Sequence, residues 1–139
     1  MGARSKARKR AVDVLYAAAV RDADPVTLLV ERNETAEHIA PNDYAVTLVE
    51  GVAAHRERID ELLAEHAEGW TLDRMPFVDV AILRLGVYEL LWAADVPDAV
   101  AVDEAVQLAK SLSTDDSPRF VNGVLGRLVT IAEQLRATL

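Results

Sequence analysis

Apolar residues recur along this chain at helical intervals, and prolines punctuate them. Val12, Leu15, Tyr16 and Ala19 predict a first helix running to about Val20. Asp24-Pro25 then opens a short second helix, with Asp as cap and Pro in the first turn. Pro41-Asn42-Asp43 starts a long third one, whose stripe is Ala45, Leu48, Val49, Val52, Ile59, Leu62 and Leu63. Gly69-Trp70-Thr71 breaks it. From Phe77 to Ala94 the apolar side chains point in every direction around the helix, which marks it as a buried central pillar. Val96-Pro97-Asp98 ends that segment, and Ala99–Leu112 forms another helix. Ser117-Pro118 caps the last, which reaches about Arg136.

No alternating strand pattern, internal repeat or low-complexity tract is present. The expected fold is all-α, about seven helices in two packed sub-bundles. One domain spans 1–139: a basic arm (1–10), an N-terminal bundle (11–68) and a C-terminal bundle (72–139).

At 139 residues the chain can bury a core without metal or disulfide staples, and it contains no cysteine. No apolar run spans a bilayer and no signal peptide is evident, so a cytoplasmic protein is expected.

The net charge of −8 argues against a nucleic-acid partner until its distribution is read. Arg4, Lys6, Arg8, Lys9 and Arg10 fall in the first 12 positions, where there is no acid. The other ten of the 15 basic residues share the rest of the chain with all 23 acidic ones, which gives a +5 arm on a −13 body. Continued back to residue 4, the first helix would put Arg4 and Arg8 on its core side, buried and unpaired at a cost of several kcal/mol. The packed helix is therefore expected to begin near Arg10, leaving the arm to project toward phosphates.

In the last helix Val121, Val124, Leu125, Leu128, Ile131 and Leu135 form the core arc. Phe120 sits at its edge. Arg119, Asn122, Gly123 and Gly126 lie opposite, where glycine admits close approach by a helix or an RNA backbone. Spacing favours Phe120 as core, with stacking on an unpaired base as the alternative. Arg84 and Glu89 of the central helix diverge too far to pair with each other and are expected to pair with neighbouring helices. Asp79, in that helix's first turn, is expected to remain exposed for a partner.

Catalytic signals are thin. His38, His55 and His66 lack metal-ligand spacing, and Asp115-Asp116 has no oxygen cage around it. No phosphate-cradling loop or nucleophile elbow occurs, so neither an enzyme nor a cofactor is expected.

Four stretches resemble the NusB family of bacterial transcription antitermination factors. They are the basic arm running into Ala11-Val12…Leu15-Tyr16; Val78–Arg84 with Tyr88-Glu89-Leu90; Asp95-Val96-Pro97 followed by Ala101–Val106 and Leu108-Ala109-Lys110; and Ser117 with Phe120–Leu125. The resemblance implies two perpendicular helical bundles and binding of boxA RNA together with ribosomal protein NusE. It further implies entry into the RNA polymerase elongation complex. By position, Arg4, Lys6, Arg8, Lys9, Arg10, Lys110, Asp116, Arg119, Phe120 and Asn122 would contact RNA, and Tyr16 and Asp79 would contact NusE. Asp103 stands where the family often has Asn and Asp79 where it often has Glu; Pro118 and the acidic body are also less typical. The alternatives are a protein-only helical adaptor, or an rRNA-maturation accessory acting in trans. The small-residue helix faces also permit a homodimer.

Overall fold

The computed structural model describes residues 2–33, 43–67 and 69–139; His38, Pro41 and Asn42 lie outside them. Among the described residues there are seven α-helices, one short 3₁₀ turn and no strand.

Helix α1 spans Ala3–Arg21 and stops where Asp22 turns left-handed, its amide donating back to Ala18 and Ala19. Helix α2, Pro25–Asn33, starts as expected, with the Asp24 carboxylate accepting from the Thr27 amide at 2.9 Å. Asp43 caps α3, Tyr44–Ala54, in the same way through Ala45.

The predicted long third helix is two helices. His55 departs from helical geometry and α4, Arg56–His66, begins afresh. The apolar stripe continues across the break, so periodicity does not reveal it. The cause is tertiary: the His55 ring stacks on Trp92 at 4.3 Å. Nearby, the Tyr88 ring lies so close to Gly51 that a Cβ there would meet it at 2.2 Å.

Gly69 has φ +79°, which excludes most other residues from the turn after α4. A 3₁₀ turn at Leu72–Arg74 leads into α5, Phe77–Trp92. Helices α6, Asp98–Leu112, and α7, Ser117–Arg136, complete the fold, with Pro118 in the first turn of α7.

Helix α5 is the pillar its composition predicts: it packs against α1, α3, α4, α6 and α7. Its buried face includes Ile82, Leu83, Leu85 and Val87, each fully enclosed. Two arginines close helix ends across the fold. Arg127 donates to the His66 carbonyl at the end of α4, and Arg136 to the Leu90 carbonyl near the end of α5. Among the described residues, no helix is long and apolar enough to cross a membrane.

Candidate nucleic-acid interface

The N-terminal basic segment does not project. Helix α1 begins at Ala3, and Arg8 lies inside the protein with 3% of its surface exposed. The physical reason is Glu89 of α5, itself 0% exposed. Its two oxygens accept from Arg8 Nε at 2.8 and 3.0 Å, and one also accepts from the Tyr44 hydroxyl at 2.7 Å. Glu104 of α6 adds a second carboxylate 3.3 Å from Arg8 Nη1 and accepts from Ser5 Oγ. The charge that seemed too costly to bury is thus paired from two other helices.

Two further arginines of the segment are also engaged. Arg4 donates to Asp95 at 2.7 Å and lies 4.3 Å from the centre of the Tyr44 ring. That hydrogen bond and charge hold the Asp95 carboxyl below the usual range. Arg10 pairs with Asp43 at 2.7 Å. Lys6 and Lys9 are exposed and form no ion pair among the described residues.

Burial of Tyr44, with its hydrogen bond to Glu89, pushes its phenol well above the ordinary tyrosine range; burial also raises that of Tyr88. In the unfolded chain both ionise near pH 10. Their contribution to stability is therefore intact below about pH 10 and is lost as pH rises further. An ultraviolet phenolate titration should show these two tyrosines ionising late, together with alkaline unfolding. Ionisation of both near pH 10 in the folded protein would contradict the Tyr44–Glu89 contact.

Near the other end of α5, Asp79 is 4% exposed, so the expected free carboxylate is not free. It accepts from Ser113 Oγ at 2.5 Å and from Ser117 Oγ at 2.9 Å. Ser117 is not the cap of α7: it is the helix's first residue, Asp116 holds the cap position without a side-chain hydrogen bond, and the Ser117 hydroxyl meets Asp79, Ser113 and Thr114. The network ties the start of α5 to the α6–α7 junction.

Around that junction Lys110, Asp116, Arg119 and Asn122 are exposed. Phe120 packs against the core, the reading its spacing favours, and its ring meets Trp70 edge-on with ring centres 6.1 Å apart. Trp70 is 50% exposed. The sequence presented it only as part of a helix break, since its neighbour lies 50 positions away. Asp79 and Glu89, the anchors of the two regions, are ten residues or about 15 Å apart along α5. Helix α6 connects the regions, with Glu104 at one and Ser113, the residue that follows its last turn, at the other.

Tyr16 is exposed as expected, and so are Val20 one turn along and Phe77 at the start of α5. A groove of about 300 Å³ lies between α1, α3 and α5, lined by Leu15, Ala19, Val52, Phe77 and Val80 among others. Arg84 on its rim is paired with Asp60 at 2.8 Å, as the divergence of Arg84 from Glu89 requires.

Comparison with known proteins accords with this arrangement. Residues 5–130 match the model of the NusB family. The chain is 69% identical to the transcription antitermination protein NusB of Saccharopolyspora erythraea, an alignment covering all of this chain and 95% of that one. It is 60% identical to the protein of the same name from Beutenbergia cavernae, over 98% of this chain and 95% of the other. Its fold is similar to that of T. maritima NusB, with a TM-score of 0.84 and 32% identity over 98% of this chain and 97% of that one. It is also similar to a chain in the crystal structure of antitermination factors NusB and NusE in complex with dsRNA. There the TM-score is 0.79 and the identity 32%, over 91% of this chain and 96% of the other.

Proposed function

Because this chain belongs to the NusB family, we propose that it is a transcription antitermination factor that binds boxA RNA together with NusE and joins the elongating RNA polymerase. The observation that carries this reading is the end-to-end similarity to a protein of that name, on a fold also found in a complex with NusE and RNA. Antitermination of this kind is a binding function. It needs no catalytic group or cofactor, and its place is the bacterial cytoplasm, where the polymerase works.

The chain acts as one unit, with α1, α3, α4, α6 and α7 packed on α5 and α2 packed on α1 and α3. RNA runs from Lys6 and Lys9 along the exposed side of α6 to Lys110, Arg119 and Asn122. Arg4 and Arg10 border this path, already paired with acids. Arg8 serves it indirectly, by fixing α1 to Glu89. Phe120 and Asp116 lie at its far end. NusE occupies a different face, at Tyr16, Val20 and Phe77. Asp79 supports the interface only through its hold on Ser113 and Ser117.

Anisotropy titration of labelled boxA RNA tests the proposal. Binding should be weak with the chain alone, whose net charge is −8, and much tighter when NusE is added. Absence of binding with NusE at low salt would overturn it. NusE binding without any RNA binding would make the chain a protein-only adaptor.

A further inference from the structure

We infer that Asp43 is an autoinhibitory residue: its carboxylate draws Arg10 onto the start of α3 and withholds it from RNA phosphates, so the chain grips RNA less tightly than its cations allow. The inference rests on the RNA-binding reading above and adds to it a restraint built into the fold.

Asp43 does two things at once. One oxygen, Oδ1, caps α3 by accepting from the Ala45 amide at 2.9 Å. The other, Oδ2, meets Arg10 Nη2 at 2.7 Å. The first task needs no charge, because asparagine and serine cap helices about as well as aspartate does. The negative charge at this position therefore exceeds what α3 requires, and Arg10 is what it acts on.

Arg10 is poorly satisfied in return. A carboxylate holds an arginine best with both oxygens, one on each arm of the guanidinium fork. Asp43 has a single oxygen to offer, since the cap takes the other. Arg10 Nε is left buried with no hydrogen-bond partner. A buried donor without an acceptor is a cost that contact with water removes. What keeps Arg10 in this pose, among the described residues, is the charge of Asp43.

The other arginines of α1 differ. Arg8 Nε reaches both oxygens of Glu89 and is enclosed, so it serves the fold. Arg4 has the Tyr44 ring as well as Asp95, and would lose both on leaving. The Arg10 side chain is 42% exposed, close enough to water to swing out. A phosphate that takes it from Asp43 leaves behind a carboxylate only 12% exposed and uncompensated. Gain and loss largely offset each other, so Arg10 adds little to RNA binding while Asp43 is charged.

The test titrates boxA RNA against the full chain with NusE at several salt concentrations. Asp43→Asn keeps the cap and removes the charge. It should steepen the slope of log affinity against log salt by about 0.7, the share of one added phosphate contact, which is roughly eightfold in affinity at about 50 mM salt. Asp43→Ser should do the same, and the unfolding midpoints of both variants should stay near the parent's. In an Arg10→Ala background, Asp43→Asn should leave the slope near that of Arg10→Ala alone. An equal steepening in both backgrounds would mean that Asp43 merely repels RNA, and the inference falls. Parent-like affinity and slope for Asp43→Asn and Asp43→Ser, while boxA RNA still binds, would overturn the restraint and leave the function standing. If boxA RNA fails to bind the parent chain with NusE, the function is refuted and the restraint with it.

Discussion

An Arg8→Leu variant should lose about 3–5 kcal/mol of folding stability, a large share of the roughly 5–15 kcal/mol that holds a domain together. The loss comes from the partner left behind. Glu89 is fully enclosed, and without Arg8 it keeps only the Tyr44 hydroxyl for its negative charge. Arg4→Ala, by contrast, removes an ion pair whose side chains are 49% and 66% exposed, and should change stability by no more than about 1 kcal/mol. The double variant Arg8→Leu/Glu89→Leu should recover most of the single variant's loss, since an apolar pair can replace a buried ionic one at little cost. Urea unfolding of the four proteins measures all of this. Equal, small losses for Arg8→Leu and Arg4→Ala would mean that the Arg8–Glu89 pair is not buried in solution.

The same residue shows what the sequence conveys and where it stops. The elements were legible because their signals are local. Pro25, Pro97 and Pro118 mark helix starts, and the unbroken apolar surface of α5 marks the pillar. The core arc of α7 was legible for the same reason: Val121, Val124, Leu125 and Leu128 are all buried. Placement of the first helix failed because the decisive contact spans 81 positions. Periodicity put Arg8 on the core side, and only the fold brings Glu89 there to receive it. Asp79 failed likewise. Its position in a first turn says nothing of Ser113 and Ser117, which arrive from the α6–α7 junction, 34 and 38 positions away. The break at His55 belongs to this class too, held by a ring 37 positions away. For the interface, the exposed cations were legible as types, but which of them are already neutralised was not.

That last distinction sets the second large effect. Each phosphate contact made by a free cation contributes about 0.7 to the slope of log affinity against log salt for single-stranded nucleic acid. Lys6, Lys9, Lys110 and Arg119 are exposed and without an ion pair among the described residues. Replacing all four by Ala should lower the slope for boxA RNA with NusE by nearly 3. Affinity at low salt should fall steeply as well, and the variant's remaining affinity should change far less between 50 and 200 mM salt. Arg4→Ala and Arg10→Ala should each move the slope by less than a free lysine does. A phosphate must first compete with Asp95 or Asp43 for those guanidinium groups, and removing the arginine frees an acid that repels RNA. All four lysine and arginine substitutions lie on exposed side chains, so unfolding midpoints should stay near the parent's and separate lost binding from lost fold. If the quadruple variant keeps the parent's slope while Arg4→Ala and Arg10→Ala abolish it, RNA opens the Asp95 and Asp43 pairs on binding, and the path along α6 is wrong.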